Sequence, residues 1–411
     1  MSIQKLSTIG AVAVFMGTAA YADCGIESAN INIVGNEFSA IQAVVDGAKA
    51  CATDTVTVES NLNKDYRELQ VAALTANPAQ YSVVVTNNGA IVPLLGEDLI
   101  RPLDDLIAKH GQHLSKNQMI SVDGKVMAVA FMANAQHLFV RKDILEQAGV
   151  EVPTTYEEVI AVAQAIKDAG IMAHPFATTS ATGWNLGEEF VNMFLGHGGE
   201  FFKPGSAEPN INNETGVAAL NTLKALTELS NPDFLTFDSN AVQANWESGD
   251  LAIAHLWGSR GTGILDDEGS SDEVVSNTML VSSPTVGGGD VPASTLWWDG
   301  FAIAKNVSDA DAEASFIAMV KGISPDVVKA NNDAAVWLVD GYEPTPAAAG
   351  VFATASGNTQ PYPMIPFMGL MHTALGAELN EFLQGSESAE QALADVEAAY
   401  TTAAKEKGFL N

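Results

Sequence analysis

The residues best suited to chemistry here are flat rings and planar polar groups. The rings are Trp184, Trp246, Trp257, Trp297, Trp298 and Trp337. The polar groups are Asn36, Glu37, Asn87, Asn88, Asn134, Arg260 and Asp299, the last directly following a Trp pair. Rings offer apolar faces, and amides, carboxylates and guanidinium groups offer directed hydrogen bonds. That is the chemistry of holding a molecule. Motifs for making bonds are missing: no Gly-x-Gly-x-x-Gly follows a strand, and no Gly-x-Ser-x-Gly or His-Glu-x-x-His occurs. Gly258-Ser259-Arg260-Gly261-Thr262-Gly263 is Gly-rich but lacks the Lys and helix start of a phosphate loop. His110-Gly111-Gln112-His113 has no obvious third metal ligand. No cofactor, metal site or catalytic residue is expected. A secreted glycan-acting enzyme is the alternative from another class, because a glycosidase needs only two opposed carboxylates and the chain has 50 acids.

Elements that would position these groups alternate along the chain. Ile31-Asn32-Ile33-Val34 reads as a buried strand ending at Gly35. Phe38, Ile41, Val44, Val45 and Ala48 have helical spacing. Residues 55–59 and 81–85 read as further strands, with a helix over 66–74 between them. Alternation of this kind predicts an α/β fold with mainly parallel sheets flanked by helices. Ligands of such sheets bind beyond the carboxyl ends of strands, which selects Asn36-Glu37 and Asn87-Asn88. Further helices are expected over 142–148, 156–168, 216–229 and 239–248, with a strand at 251–254. Thr154 or Thr155 is suited to cap the 156–168 helix. Trp184 falls in a loop-like segment, and Trp246 reads as core.

The first residues look like a targeting segment. Lys5 precedes an apolar run from Ile9 to Ala20, and Ala20-Tyr21-Ala22 has the small-x-small form of a cleavage site. We expect cleavage after Ala22 and export to the periplasm. The run of about 12 apolar residues is too short to span a bilayer, and no later run is long enough. The remaining chain exceeds a single-core domain, so two lobes are expected. The formal charge of −31 disfavours nucleic acid and anionic membranes as partners. Cys24 and Cys51 are the only cysteines, and in an exported chain an even count favours a disulfide.

Four blocks then carry a resemblance. Gln80-Tyr81-Ser82-Val83-Val84-Val85 is followed by Ile100-Arg101-Pro102-Leu103-Asp104-Asp105-Leu106. Next come Val122-Asp123-Gly124-Lys125, Phe131-Met132-Ala133-Asn134, Phe139-Val140-Arg141-Lys142-Asp143, Ala148-Gly149-Val150 and Pro153-Thr154-Thr155-Tyr156-Glu157-Glu158. The third block is Trp246-Glu247-Ser248-Gly249-Asp250-Leu251-Ala252-Ile253 with Trp257-Gly258. The fourth is Trp297-Trp298-Asp299-Gly300-Phe301-Ala302-Ile303-Ala304-Lys305-Asn306. In this order they resemble the family 1 extracellular solute-binding proteins, the maltodextrin-binding-like receptors of ABC importers. Tyr156 stands where that family usually has Trp, and Trp297-Trp298-Asp299 stands where Gly and Trp are common. The resemblance therefore carries no ligand identity.

The resemblance implies a periplasmic-binding-protein fold: two lobes joined by hinge strands, closing on a solute. It implies crossings near Ala130–Gln136, Met279–Ser283 and Lys321–Asn331. The lobes are then 23–132 with 280–325, and 133–279 with 326–411. It further implies a monomeric, non-enzymatic receptor that passes a sugar or polyol to the transmembrane subunits of an ABC permease. A sugar presents hydroxyls at its edge and C–H groups on its faces, matching planar polar groups and aromatic rings. The expected ligand-binding residues are Asn36, Glu37, Asn87, Asn88, Asn134, Trp184, Trp257, Arg260, Trp297, Trp298 and Asp299. Only one of Trp297 and Trp298 is expected to stack, since neighbours on a strand face opposite ways. Arg260 has three readings: pairing with Asp299 or Glu37, binding an anionic group of an acidic or sulfonated sugar, or lying on the surface.

Overall fold

The computed structural model describes residues 24–266 and 268–411. The expected signal peptide and its cleavage point lie outside the described residues. Among the described residues, no helix is long and apolar enough to cross a membrane.

The strands, in chain order, are β1 (Ala29–Gly35), β2 (Val56–Leu62), β3 (Val83–Asn87), β4 (Met119–Val122), β5 (Lys125–Asn134) and β6 (Gln136–Arg141). They continue with β7 (Phe176–Thr178), β8 (Ile253–Trp257), β9 (Thr278–Val281), β10 (Thr295–Ile303), β11 (Val336–Trp337) and β12 (Gln360–Pro361). They form two sheets, each flanked by helices. The first has the order β11-β5-β10-β3-β1-β2, with β4 on β5 and β12 on β10. The second has the order β7-β8-β6-β9. The fold is α/β and two-lobed, as expected.

Apolar patterning explains the layers. All five residues of β3 are buried, as befits a strand covered on both faces. The helix Ser39–Lys49 buries Ala40, Ile41, Val44, Val45 and Ala48 on one face. The helix Tyr156–Asp168 begins in a capping box between Thr155 and Glu158, so of the two threonines the sequence offers the cap is Thr155. The expected disulfide is present: Cys24 and Cys51 are bonded, with their Cα atoms 5.4 Å apart.

The chain passes between the sheets at definite points. Only Ala135 separates β5 in the first sheet from β6 in the second. β9 still pairs with β6, so the chain leaves the second sheet after Val281 and rejoins the first at Thr295. Val328 lies in the core of the first sheet and β11 pairs with β5, so the chain stays there through Trp337. Strand pairing, which block order cannot reveal, sets these points.

One glycine positions the strand that matters most. The pairing of β10 with β5 shifts between Asp299 and Gly300, a bulge. A Cβ on Gly300 would lie 2.5 Å from the Val129 carbonyl oxygen and 2.8 Å from Ala130 Cα. Backbone cannot yield as a side chain end can. Gly300→Ala is therefore expected to lower stability by about 1–3 kcal/mol, read as a lower urea midpoint with unchanged slope; an unaltered midpoint would refute the close approach.

Candidate ligand-binding site

The parallel strands β1, β2 and β3 run side by side, so their carboxyl ends share one edge. Asn36 and Glu37 follow β1, Tyr66 and Arg67 open the helix after β2, and Asn87 ends β3. The antiparallel strand β10 places Asp299 opposite Asn87 and Trp297 opposite Asn134. Asn87 donates to Tyr66 Oη at 2.9 Å and accepts from the Ala90 amide at 3.1 Å. Asn88 accepts from the Trp298 amide at 2.8 Å and donates to the Leu296 carbonyl at 3.3 Å. Asn134 accepts from the Ser259 amide and donates to Ser259 Oγ, each at 3.2 Å. These three amides thus fix backbone and turns around the site. Glu37 is exposed, and its amide donates to Asn36 Oδ1 at 2.8 Å.

The second lobe supplies rings. Trp184 is the first residue of the helix Trp184–Gly196, not part of a loop, and it is half-buried. Gly183 before it has φ 98°, a conformation open to glycine, which lets the chain turn into the helix. Trp257 is the last residue of β8. The Trp184 ring stacks on His372 at 5.0 Å and on Trp257 at 6.2 Å. Trp297 meets Trp184 and Trp257 edge-on, at 5.6 and 5.9 Å, and lies 4.4 Å from Tyr362. His372 bridges the Trp184 carbonyl and Tyr362 Oη, each at 2.8 Å. The carbonyl can only accept, so Nε2 carries the hydrogen and Nδ1 accepts from Tyr362. Burial lowers the His372 ring to about 4, which keeps it neutral.

The cation at this site is Arg67. Its guanidinium lies 4.9 Å from the Trp184 ring centre and 5.3 Å from that of Tyr66. The first of these contacts crosses between the lobes. Among the described residues Arg67 takes part in no ion pair. Asp299 feels its charge: burial pushes the Asp299 carboxyl up to about 7, opposed by the positive charge of Arg67 and a hydrogen bond from Asn87. Polar donors, an acceptor and ring faces therefore converge where the two lobes meet.

Trp297 and Trp298 do part company. Trp297 packs with the second-lobe rings, whereas Trp298 packs with Val84, Ala130 and Ala302 in the first lobe. Trp246 is fully buried, as its helical position predicts. Arg260 is not beside Asp299 or Glu37. It donates to Gln243 Oε1 at 3.3 Å, and its neighbouring charges are Asp238 and Glu247. The turn after β8 brings its side chain to the helix Ser239–Glu247. Arg67, Tyr362 and His372 escaped the sequence reading. Arg67 had a signal: it follows the third parallel strand end, by the same rule that selects Asn36 and Asn87.

A two-lobed α/β fold with a polar and aromatic site between the lobes defines a binding-protein architecture. A model of the bacterial extracellular solute-binding protein family matches residues 34–354, and the chain belongs to that family. Solved structures share the fold. An ABC transporter solute-binding protein from Agrobacterium radiobacter K84, in complex with ribitol, is 19% identical with a TM-score of 0.79, over 92% of this chain and 99% of that one. Maltose-bound MalE3 of T. maritima is 18% identical with a TM-score of 0.78, over 91% and 100%. A solute-binding protein from Agrobacterium vitis S4 with bound D-mannitol is 19% identical with a TM-score of 0.75, over 93% and 99%.

Proposed function

We propose that this chain is a periplasmic receptor, cleaved after Ala22, that closes its lobes on a neutral sugar or polyol and delivers it to an ABC permease without transforming it. The lobes are 24–134 with 295–337, and 136–281 with 349–411, from which β12 reaches across to the start of β10. The observation that carries this reading is the meeting of Trp184, Trp257 and Trp297 with Asp299 and Arg67 between the lobes. Ring faces suit C–H faces, while Asp299 accepts from hydroxyls and the fork of Arg67 donates to them. Ligands of the fold relatives, ribitol, maltose and D-mannitol, belong to the same chemical class. Micromolar affinity requires roughly 8 kcal/mol, within reach of a few ring contacts at ~1 kcal/mol each plus several hydrogen bonds.

A second reading has its own observation. Arg67, rather than Arg260, is a cleft guanidinium without an acid partner among the described residues, and such a fork matches a carboxylate or sulfonate. A thermal-shift screen of polyols, neutral sugars and sugar acids, with product analysis of each hit, separates the readings. Stabilisation by a neutral polyol or sugar, with the hit recovered unchanged, is expected. Turnover of a hit would overturn the receptor reading, and stabilisation by sugar acids alone, lost in Arg67→Ala, would replace the neutral ligand by an anionic one.

A further inference from the structure

Behind the Trp297 ring lies a run of buried polar side chains that touches both strands joining the lobes. Glu188 and Asn192 lie one and two turns into the helix that begins at Trp184. Thr295 Oγ1 is 2.6 Å from Glu188 Oε1 and 2.9 Å from Asn192 Oδ1. Asn192 Nδ2 donates to Gln136 Oε1 at 2.5 Å. Gln136 Nε2 donates to Glu189 Oε1 and to Thr179 Oγ1, each at 2.8 Å. Thr179 Oγ1 in turn donates to Glu189 Oε1 at 2.6 Å. Trp297 Nε1 donates to Thr295 Oγ1 at 2.8 Å and to Glu188 Oε1 at 3.1 Å.

Counting hydrogens along this run gives a definite answer. Glu189 Oε1 receives hydrogens from both Thr179 Oγ1 and Gln136 Nε2, so the amide nitrogen of Gln136 faces it and the amide oxygen faces Asn192. The oxygen of Gln136 then takes a hydrogen from Asn192 Nδ2, so Asn192 presents its own oxygen to Thr295. Thr295 has one hydroxyl hydrogen and faces two oxygens, Glu188 Oε1 and Asn192 Oδ1. Asn192 Oδ1 cannot donate. The run closes only when Glu188 supplies a hydrogen to Thr295 and Thr295 passes its own to Asn192.

We propose that Glu188 is a positioning residue that acts as a neutral, hydrogen-donating acid: through Thr295 it sets the Trp297 ring as a platform, and losing its proton draws the ring N–H from Thr295 to the carboxylate, shifts the ring and weakens ligand binding. The binding half of this proposal rests on the receptor function above; the hydrogen-bond half does not. Burial supports it, raising the Glu188 carboxyl to about 8 despite its contacts with Thr295 and Trp297. The charged and titratable groups facing Glu188 are Glu189 on its own helix, Arg67 from the helix after β2, and Tyr362 against Trp297. Once ionised, Glu188 takes the single Thr295 hydrogen and becomes the stronger acceptor for Trp297 Nε1, so Asn192 Oδ1 is left without a hydrogen and the ring is drawn from Thr295 toward the carboxylate.

The test is a titration of intrinsic tryptophan emission in the ligand-free protein from pH 6 to 9.5, beside D-mannitol binding by calorimetry. Wild type is expected to show a transition near pH 8, and tryptophan-to-phenylalanine replacement at 297 removes it. Glu188→Gln, whose amide donates to Thr295 at every pH, gives a flat profile, as does Thr295→Val, which breaks the relay with Glu188 in place. Asp299→Asn leaves the transition near 8 and removes any component near 7. D-mannitol affinity of wild type falls about tenfold or more between pH 7 and 9, and that of Glu188→Gln does not. A transition that persists in Glu188→Gln, or a wild-type profile flat to pH 9.5, overturns the proposal. If no polyol or sugar binds, the receptor reading fails, while the ligand-free titration still decides the role of Glu188.

Discussion

Trp184→Ala is expected to lower affinity for the bound solute by about 30-fold or more, on the scale of about 2–4 kcal/mol for central aromatic contacts, while leaving the fold intact. Trp184 is half-buried, opens its helix at the lobe junction, and is held from behind by His372. It also receives Arg67 from the opposite lobe. Its removal therefore takes away a ring face and a contact between lobes without emptying either core. Trp298→Ala is the matched contrast. That ring belongs to the first-lobe core, so its truncation should cost about 3–5 kcal/mol of stability. Calorimetric titration and urea unfolding of both variants separate the roles. Unaltered affinity in Trp184→Ala would remove stacking from the binding model.

Loss of the disulfide is the second large effect. Cys24 and Cys51 are 27 residues apart in sequence, and their bond ties the start of the described chain to the far end of the first helix. Closing a loop of that length stabilises the native state by about 3.5 kcal/mol in the chain-entropy model. The Cys24→Ser/Cys51→Ser double variant should unfold at a correspondingly lower urea concentration. Wild type in reductant should match it, because the effect belongs to the covalent link. If the double variant unfolds with oxidised wild type, the loop was already ordered in the unfolded chain.

Much of the scaffold was legible because it follows local rules. The spacing of Ile41, Val44, Val45 and Ala48 marks the first helix, and the Thr154-Thr155 pair marks the start of another, with Thr155 the cap. The strand-end rule selects Asn36 and Asn87 and, applied once more to β2, reaches Arg67 at the start of the helix that follows it. Trp184 was placed in a loop because Gly183 and Asn185 suggest a turn; the helix begins there because burial of Leu186, Phe190 and Phe194 overrides that weak local preference. Tyr362 and His372 were invisible for another reason. They come from a late segment of the chain and meet Trp297 and Trp184 through tertiary packing alone. Arg260 shows the converse error: nearness in sequence to Trp257 did not mean nearness to Asp299, because one tight turn sends the side chain to the opposite helix.

The opposed directions of Trp297 and Trp298 on β10 also bear on how such receptors can diverge. One residue inserted ahead of this pair would exchange their faces, pushing the stacking ring into the first-lobe core and the core ring into the solute's path. Two inserted residues would restore the alternation. Length changes upstream in this strand should therefore survive in even steps, so that new specificities arise by replacing the residue at position 297 rather than by shifting the strand.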